Sequence, residues 1–444
     1  MGFRGGAAPG GGWRRTVRVR DRVRGVRQTA GMGLLIAAYA SLAAWLWLTL
    51  AQGMFWRTDV RLPPRSAPAR WPSVAIIVPA RDEAEVLPLS LPSLLAQDYP
   101  GEAGIVLVDD GSGDGTGALA ARLAAEQPGL PLTVVSPGDP PPGWTGKLWA
   151  VRHGIAHVRT AHTRAHVNGH AHEPAHEPAH APGTPEGPGP EFLLLTDADI
   201  AHEPDSLREL VAAATSADLD LVSQMARLRV VSPWERLVVP AFVYFFAQLY
   251  PFRRINRPGA RTSAAAGGCV LLRTEAAVRA GIPDSIRQAV IDDVALARAV
   301  RRAGGRIWLG LAERVDSVRP YSGLGDLWRM VSRSAYAQLR HRPVLLAGTV
   351  AGLVLVYLVP PAALCAGLAA GRPAMAWAGG TAWLLMAATY LPMLRYYRQS
   401  PLLAPLLPLT ALLYLLMTVD SAVQHYRGRG AAWKGRTYAR PGDV

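Results

Sequence analysis

Four long stretches of apolar residues constrain what this chain can fold into more than any other feature. They cover residues 31–52, 344–371, 373–394 and 402–419, each close to the roughly 20 residues that a helix needs to cross a bilayer core. Because that core offers the backbone no water as a hydrogen-bond partner, such segments cross it as helices. We therefore predict an integral membrane protein with one N-terminal and about three C-terminal transmembrane helices.

The first apolar stretch is predicted to be a retained membrane anchor, because a cleaved signal peptide has a shorter apolar core and a small-residue cleavage site. Residues 1–30, which precede it, are rich in glycine and arginine and lack apolar periodicity. We expect them to be a disordered basic N-terminus that contacts anionic lipids, unless translation begins at Met32. Residues 420–444 are predicted to be a basic C-terminal tail.

The composition excludes several classes of function. Only 18% of the 444 residues are charged, yet the net charge is +14, largely from arginines near apolar stretches. This pattern suits a membrane surface or a phosphate-bearing substrate. The sequence has no zinc-finger spacing, RNP-like aromatic pattern or helix-turn-helix signature, so we expect no nucleic-acid partner. Its two cysteines, Cys269 and Cys365, lie far apart in apolar surroundings and are predicted to be buried, reduced thiols.

A soluble α/β domain is predicted between the anchor and the C-terminal spans, over residues 71–340, after a proline-containing linker at residues 57–70. Predicted strands and helices alternate there, which is typical of a mostly parallel sheet covered on both faces. The predicted strands cover residues 74–78, 105–108, 132–135, 192–195 and 220–231, the last as one or two strands. The predicted helices cover residues 83–97, 116–126, 147–158, 204–214 and 291–303.

Two segments depart from this alternation. Residues 157–190 hold seven of the 11 histidines and a repeated His-Glu-Pro-Ala, and we expect a disordered surface insertion rather than a metal reservoir. Residues 237–252 are apolar and aromatic but contain Pro240 and Pro251. We favour an amphipathic segment in the membrane interface that receives a lipid acceptor, and the alternative is a buried core helix.

Two carboxylates, Asp197 and Asp199, directly follow the apolar run Phe-Leu-Leu-Leu-Thr at residues 192–196. Such a run fits a buried strand of a parallel sheet, and ligands of open α/β sheets collect at the carboxyl ends of strands. Neighbouring carboxylates repel each other and are best accommodated around Mg²⁺ or Mn²⁺, which also bridges phosphates. The alternative is an acidic turn that caps the next helix.

Further carboxylates follow the first two predicted strands. Glu83 ends Val-Pro-Ala-Arg-Asp-Glu at residues 78–83, and Asp110 lies in Val-Asp-Asp-Gly-Ser at residues 108–112. Carboxylates at strand ends beside small residues can meet a ribose or a base edge, so a nucleotide is the expected ligand. The glycines do not form the dinucleotide fingerprint, because Thr116 stands where its third glycine would be.

Lys147 and a second acidic pair complete the candidate residues. Lys147 follows Gly146 at a predicted helix start, where it either meets a diphosphate or is merely solvated, and the surrounding sequence is not a P-loop. Asp292 and Asp293 begin another predicted helix, where the helix dipole alone favours carboxylates. They follow a glycine pair at residues 267–268 that would let the backbone approach a sugar, so we favour a functional role.

Taken in order, these motifs resemble those of family 2 glycosyltransferases of the GT-A fold. The resemblance covers residues 71–336 and includes Gly-Lys at 146–147, Thr-Asp-Ala-Asp at 196–199 and Asp-Asp-Val-Ala-Leu at 292–296. Pro-Gly-Trp-Thr-Gly-Lys at 142–147, residues 328–339 and the membrane arrangement are similar to hopene-associated glycosyltransferases and to ceramide glucosyltransferases. The resemblance implies a Rossmann-like domain that transfers a sugar from a nucleotide-sugar donor.

The resemblance also implies which residues bind the donor. Ala80, Glu83 and Asp110 would hold the nucleoside of a UDP-sugar. Lys147 would face the donor, and Asp197 would contact its ribose or a bound metal ion.

The same resemblance implies metal-binding and catalytic roles for the remaining carboxylates. Asp199, with Asp197, would bind Mg²⁺ or Mn²⁺ between the two phosphates. Asp293 would be the general base, and Asp292, which replaces the family's usual glutamate, leaves the choice between the two open. The family's Gln/Arg-x-x-Arg-Trp motif is absent as such, which leaves Arg333 without an assigned role.

We predict a membrane-anchored, inverting, metal-dependent glycosyltransferase that moves a sugar from a nucleotide donor to a lipid hydroxyl, with a hopanoid as the expected acceptor. We place it in the inner (cytoplasmic) membrane with its catalytic domain facing the cytoplasm. The alternatives are a processive polysaccharide synthase and a non-catalytic nucleotide-sugar-binding membrane protein. The small number of C-terminal spans disfavours the first alternative, and the complete set of carboxylates disfavours the second.

Overall fold

An eight-stranded sheet forms the centre of the soluble domain in the computed structural model, which describes residues 12–169 and 189–428 and the backbone of residues 432–433 and 436–437. The strands are β1 (Val74–Ala80), β2 (Ala103–Asp109), β3 (Leu132–Val135), β4 (Phe192–Thr196), β5 (Ile200–His202), β6 (Leu221–Arg227), β7 (Cys269–Arg273) and β8 (Ile307–Ser317). They coincide with the short apolar runs of the sequence, as expected of strands buried on both faces.

The strand order is β3-β2-β1-β4-β7-β6-β8-β5. β1 is parallel to both of its neighbours, so that Ile77 lies between Val106 of β2 and Leu195 of β4. β2 with β3 and β6 with β8 are also parallel, whereas β7 is antiparallel to β4 and β6, and β5 is antiparallel to β8. The predicted mostly parallel α/β sheet is confirmed, and the carboxyl ends of β1, β2 and β4 lie at one edge.

Helices cover both faces of this sheet. They are α2 (Leu87–Leu95), α3 (Thr116–Glu126), α4 (Gly146–Gly169), α5 (Ser206–Ser216), α6 (Pro233–Leu249), α7 (Phe252–Ile255), α8 (Thr274–Arg279), α9 (Asp292–Arg302) and α10 (Leu324–Gln338). Side chains of β1 alternate between the two layers, as the strand period of two requires. Ile76 is buried in one cluster with Leu91 of α2, and Ile77 is buried in the other with Val151 of α4.

The helix α4 is longer than predicted. It continues to Gly169, so the first part of the expected insertion at 157–190 is helical, and residues 170–188 lie outside the described part of the chain. Residues 158–168 contain neither proline nor glycine, so no helix-breaking residue stops the helix before Gly169. By contrast, α3 and β3 have the predicted bounds.

The membrane region consists of α1 (Gly12–Leu50), α11 (Pro343–Leu353), α12 (Val359–Ala369), α13 (Pro373–Tyr396) and α14 (Leu407–Tyr426). A π-helical segment (Val354–Leu358) joins α11 to α12, and a 3-10 helix (Pro401–Leu406) precedes α14. Within the described residues, three helical segments are long and apolar enough to cross a membrane, namely Gly31–Leu50, Pro343–Ala369 and Pro401–Tyr426. Two C-terminal segments therefore qualify, not the three that were expected.

The predicted stretch 373–394 does fold as the continuous helix α13, but it is not among these three segments. Small residues bring α13 close to α12, as in helix packing within membranes. A Cβ on Gly379 would lie 2.6 Å from the carbonyl oxygen of Pro360. Much of α13, including Met386 and Tyr390, is buried against other helices of the protein.

The ends of the chain differ in part from the predicted disorder. The helix α1 begins at Gly12, so the backbone of residues 12–30 is helical, whereas residues 1–11 lie outside the described part. Arginine is a good helix former and residues 12–30 contain no proline, so the helix of the apolar stretch extends backward into them. In the tail, β9 (Ala432–Trp433) and β10 (Arg436–Thr437) form an antiparallel pair.

The apolar segment 237–252 is a buried helix, not the predicted interfacial segment. It lies mainly in α6, whose Tyr244 hydroxyl hydrogen-bonds the Thr389 hydroxyl of α13 at 2.8 Å. The Tyr414 hydroxyl of α14 donates to the carbonyl oxygen of Val238 at 3.1 Å. Since its aromatic side chains pack against those of the C-terminal helices, α6 joins the sheet domain to the membrane region rather than facing lipid.

Candidate active site

A cavity of about 1110 Å³ opens at the carboxyl ends of β1 and β4 and contains most of the predicted site residues. Six charged candidates line it: Glu83, Lys147, Asp197, Asp199, Asp292 and Asp293. Three separate parts of the fold supply them, the strand ends, the first turn of α4 and the first turn of α9. The cavity is large enough for a nucleotide sugar, since ligand pockets usually measure about 300–1,000 Å³.

Lys147 joins the two acidic pairs. Its Nζ lies 2.7 Å from Oδ1 of Asp197 and 3.0 Å from Oδ2 of Asp292. Burial raises the pKa of Asp197, and the negative charge of Asp199 adds to this, whereas Lys147 opposes it. The two carboxylates raise the pKa of Lys147 above its usual value although burial opposes this, so the amine is a permanent cation here. The first turn of α4 thus carries the charge that holds this part of the site together.

Asp293 is positioned by two backbone amides. The N–H of Gly267 donates to its Oδ2 at 3.0 Å, and the N–H of Val294 donates to its Oδ1 at 2.7 Å. Burial and the neighbouring Asp292 raise the pKa of Asp293 to about 7, although Lys147 and these two amides oppose the shift. A carboxylate with such a pKa can both accept and release a proton near neutral pH.

The antiparallel strand β7 explains why Gly267 reaches this position. Cys269, the first residue of β7, pairs with Thr196, the last residue of β4, so the glycines just before β7 lie beside Asp197. The Thr196 hydroxyl donates to the carbonyl oxygen of Gly268 at 2.8 Å. A Cβ on Gly267 would lie 3.5 Å from the Cβ of Asp293 and 3.6 Å from Nζ of Lys147, so glycine keeps the cavity open here.

Arg319 joins the second part of the acidic cluster. Its Nε donates to Oδ2 of Asp199 at 2.7 Å, and its Nη2 donates to Oε2 of Glu83 at 2.6 Å. The two carboxylates raise the pKa of Arg319 above its usual value against the effect of burial. Arg319 follows β8, and the N–H of Val318 donates to the carbonyl oxygen of Asp199 at 2.9 Å, which fixes the end of β8 beside this carboxylate.

Asp110 and Ala80 lie next to the cavity but do not line it. Both are fully buried at the ends of β2 and β1, and the N–H of Asp110 donates to the carbonyl oxygen of Ala80 at 2.9 Å. Arg81 holds this position, since its guanidinium donates to the carbonyl oxygen of Asp110 and lies 3.8 Å from Oδ2 of the same residue. The structure thus brings Asp199 and Asp293 to one cavity and places Asp110 at the adjacent strand end.

The acidic residues are arranged around the side chains of Lys147 and Arg319. Among the described residues, no group of three or more His, Cys, Asp or Glu side chains forms a preassembled metal cage. Asp197 and Asp199 nevertheless both line the cavity, and each contributes one carboxylate oxygen to a salt bridge with Lys147 or Arg319. The other oxygen of each carboxylate is a hard donor of the kind that Mg²⁺ and Mn²⁺ prefer, so the donor set fits such an ion.

The other end of the cavity lies between α10 and α14 and combines aromatic side chains with polar and charged ones. Phe242 and Phe246 of α6 and Trp328 of α10 line it, together with Asp420 and His425 of α14. The described residues therefore line one continuous, partly open space that leads from the acidic cluster to α14, part of a segment apolar enough to cross a membrane.

Sequence reasoning missed three residues of this cavity. Arg319 directly follows a strand, so the rule that ligand-binding residues collect at strand ends could have found it. Asp420 is an acidic residue within an apolar helix, yet the predicted span ended at residue 419, just before it. Trp328 contacts Asp420 across the cavity wall, and no local pattern indicates this contact. Both cysteines are free thiols, as predicted, and Cys269 is buried, but Cys365 is exposed, so the predicted burial was wrong for Cys365.

Comparison with known proteins identifies the family that the sequence matches and solved structures with a similar fold. Residues 72–337 match the profile of the family described as Glycosyltransferase like family 2. No curated protein sequence matches the chain significantly.

Among solved structures, the chain is similar to the mannosyltransferase PcManGT from Pyrobaculum calidifontis, solved in complex with GDP-Man and Mn²⁺. The TM-score is 0.52 and the identity 21%, over 88% of this chain and 99% of that one. It is also similar to S. aureus TarS 1-349 in complex with UDP-GlcNAc, with a TM-score of 0.33 and 13% identity over 80% and 92% of the two chains. For M. tuberculosis glucosyl-3-phosphoglycerate synthase, the TM-score is 0.35 and the identity 16%, over 58% and 76%.

Proposed function

Because the chain belongs to glycosyltransferase family 2 and has the GT-A fold, we propose that it transfers a sugar from a nucleotide-sugar donor to a hydroxyl of a lipid acceptor. The observation that carries this proposal is the single cavity shared by the acidic cluster and the membrane region. Asp197, Asp199 and Asp293 line one end of it, and Phe242 and Asp420 line the other. Donor and acceptor can thus meet in one partly open cavity beside the membrane region.

The donor is proposed to lie against the carboxyl ends of β1, β2 and β4. Ala80, Glu83 and Asp110 would hold its nucleoside, and Lys147 its diphosphate. We expect UDP as the nucleotide, and the PcManGT complex makes GDP-mannose the second donor to test. Lys147 and Arg319 supply the positive charge that a diphosphate requires, because an anion entering this acidic cluster without them would be repelled.

A divalent cation is proposed to accompany the donor. Asp197 and Asp199 would hold Mg²⁺ or Mn²⁺ through the oxygens that do not contact Lys147 or Arg319, and PcManGT was solved with Mn²⁺. Such an ion stabilises the negative charge that develops on a departing nucleoside diphosphate.

Asp293 is proposed as the general base. Its carboxylate would accept the proton of the acceptor hydroxyl while the acceptor oxygen bonds to the anomeric carbon and the bond from that carbon to the diphosphate oxygen breaks. Attack from the face opposite the diphosphate inverts the configuration of the sugar. The amides of Gly267 and Val294 hold the carboxylate in place, whereas Asp292, the alternative base, is engaged by Lys147. This difference favours Asp293.

The acceptor is proposed to be a lipid that enters from the membrane side, and the resemblance to hopene-associated glycosyltransferases supports a hopanoid. The aromatic residues Phe242 and Phe246 would contact its apolar part. We further propose that the protein resides in the inner membrane with the acidic end of the cavity facing the cytoplasm, where nucleotide sugars are made.

Nucleotide release by the purified full-length protein tests this proposal. The protein is incubated with UDP- and GDP-sugars, with and without Mn²⁺, in the presence of a lipid extract. We expect release that requires the cation and is much faster with the extract than without it, and a new glycolipid whose anomeric configuration is the opposite of the donor's. Absence of release from every donor would contradict the function. Retained configuration would contradict the mechanism, and unchanged hopanoids in a deletion strain would contradict that acceptor.

A further inference from the structure

Asp420 is an acidic residue in a predominantly apolar helix. It is the only Asp or Glu in α14, which belongs to a segment apolar enough to cross a membrane. Ionisable residues in such segments are rare, and they usually face an interior cavity and bind a ligand or a partner. Asp420 indeed lines the cavity at the end opposite the acidic cluster.

The partners of Asp420 are neutral donors. Trp328 Nε1 donates to its Oδ2 at 2.9 Å, and Gln424 Nε2 donates to its Oδ1 at 3.4 Å. An ionised carboxylate has about four acceptor positions, so these two bonds orient the carboxylate without using its whole capacity. Neither Trp328 nor Gln424 carries a charge, so neither neutralises Asp420.

The negative charge of Asp420 itself disfavours a phosphate as its ligand, although Arg329 and Arg333 also line this end of the cavity. The rings of His341 and His425 stack with centroids 4.3 Å apart and planes inclined by 13°. Burial and the adjacent His425 lower the pKa of His341, so its ring is neutral near pH 7. Arg329 pairs with Asp326. Arg333 also lines the cavity, from an exposed position, and it is the residue that would bind an anionic head group if one were the ligand.

The surroundings suit a group that donates hydrogen bonds and has an apolar body. The Trp328 ring lies beside the carboxylate that it orients, and Phe242, Phe246 and Met330 line the neighbouring wall. A carboxylate next to an aromatic ring can accept hydrogen bonds from hydroxyls while the ring contacts the C–H groups between them. A sugar or another polyol on an apolar chain has this combination of groups.

We propose that Asp420, Trp328 and Gln424 form a subsite for a second hydroxyl of the acceptor, so that the acceptor is an amphiphile with a polyol or sugar head group. This inference rests on the proposed function and specifies its acceptor. One hydroxyl of the head group reacts beside Asp293, a second donates to Asp420, and the apolar chain lies along Phe242 and Phe246. An acceptor with a single hydroxyl reaches only the reacting position.

The choice among three acceptors that differ in the head group tests the subsite. Full-length protein in an amine-oxide detergent, which has no hydroxyl, receives dodecyl maltoside, 1-dodecanol or a polyprenyl phosphate, together with each donor. We expect the wild type to prefer dodecyl maltoside over dodecanol. Asp420→Asn should reduce this preference roughly 10- to 100-fold, since one hydrogen bond to a charged group is lost. The KM for the donor and its slow hydrolysis without acceptor should not change.

Three further variants make the result specific. Trp328→Phe keeps an aromatic ring but removes the N–H that orients Asp420, so it should reduce the preference less than Asp420→Asn does. Asp218→Asn removes an exposed carboxylate that pairs with Arg306 outside the cavity, and it should leave the preference unchanged. Arg333→Gln should also leave it unchanged. Thermal unfolding of each variant identifies any that fails to fold.

The outcomes separate this inference from the proposed function. Donor hydrolysis with the same acceptor preference in the wild type and in Asp420→Asn would overturn the subsite and leave the glycosyltransferase function standing. Preference for the polyprenyl phosphate, lost in Arg333→Gln and increased in Asp420→Asn, would show an anionic acceptor and also overturn it. Absence of nucleotide release with every donor and acceptor would overturn both proposals together.

Discussion

The two ends of the cavity are built on opposite physical principles. At the proposed donor end, three aspartates and Glu83 are held by Lys147 and Arg319, with distances of 2.6 to 3.0 Å between the charged groups, and Asp293 is held by two backbone amides. At the acceptor end, aromatic side chains line the wall, and the carboxylate of Asp420 is held by an indole and an amide. One end is organised by compensating charges, the other by packing and by bonds to neutral donors.

This difference indicates where stability and activity depend on the same residues. Carboxylates gathered in a partly buried space destabilise the fold unless cations accompany them, whether or not a donor is bound. Lys147 and Arg319 meet this need within the protein itself. At the proposed acceptor end, Asp326 already pairs with Arg329, and of the described carboxylates there only Asp420 lacks a cation, so its side chains can be changed with less effect on folding. Substitutions at the donor end should therefore impair folding and turnover together, and those at the acceptor end only acceptor binding.

The largest effect is expected for Asp293→Asn. An amide cannot accept the proton of the acceptor hydroxyl, and loss of a general base typically lowers turnover by about 10²- to 10⁴-fold. Donor binding, measured by calorimetry in the presence of Mn²⁺, should be nearly unchanged because Asp293 is not among the proposed donor ligands. The matched variant Asp292→Asn should lose less turnover. The reverse order of the two variants would transfer the role of base to Asp292.

The pH dependence of kcat/KM also tests whether Asp293 or Asp292 is the base. Burial and Asp292 raise the pKa of Asp293 to about 7, and the base must be deprotonated to act. The kcat/KM should therefore rise with pH, about 10-fold per unit below the pKa, and level off above it. Asp292→Asn removes the repulsion that favours the protonated form, so the rising limb should move to lower pH. A profile that is flat or falling between pH 5 and 8 would contradict Asp293 as the base.

Removal of Lys147 should destabilise the donor end. Lys147→Met leaves Asp197 and Asp292 without their shared cation, and breaking a buried ion pair on one side costs about 3–5 kcal/mol. The side chain of Lys147 is 20% exposed, so the loss in the free energy of unfolding should lie near the lower limit, about 3 kcal/mol. Addition of Asp197→Asn should recover part of it. Equal stability of the single variant and the wild type would show that Lys147 serves only the donor.

The sequence predicted five of the eight strands and most of the residues at the proposed donor end, because these follow from local patterns, whereas β5, β7 and β8 were not predicted. The bounds of β3 and α3 are as predicted, and the strand-end rule placed Asp197 and Asp199 in the cavity. The contact between Arg319 and Glu83 joins residues 236 positions apart, and no local pattern encodes it. The structure alone shows which acidic residues the cations hold.

The membrane region was predicted less well, because its helix contacts also join residues far apart in the sequence. Composition identifies an apolar segment but does not say whether lipid or protein surrounds it. Residues 237–252 were expected at the membrane interface, yet the Tyr244 side chain of α6 is fully buried and packs against Tyr390 of α13 with ring centroids 5.2 Å apart. The stretch 373–394 likewise packs closely on α12. Such partners are set by the tertiary fold, so hydropathy overestimated the surface that meets lipid.

The smallest effect is expected at the acceptor end, from Phe242→Ala. Phe242 is half-buried in the cavity wall, so its ring covers only part of a bound chain, and burial of apolar area contributes roughly 25 cal/mol per Å². We expect the KM for the acceptor to rise about 5-fold and the KM for the donor to stay unchanged. Leu249→Ala is the matched control, because Leu249 is exposed on the same helix and does not line the cavity. A large change in donor affinity or in the free energy of unfolding of Phe242→Ala would contradict this separation. It would show that packing at the acceptor end affects the charged groups at the donor end.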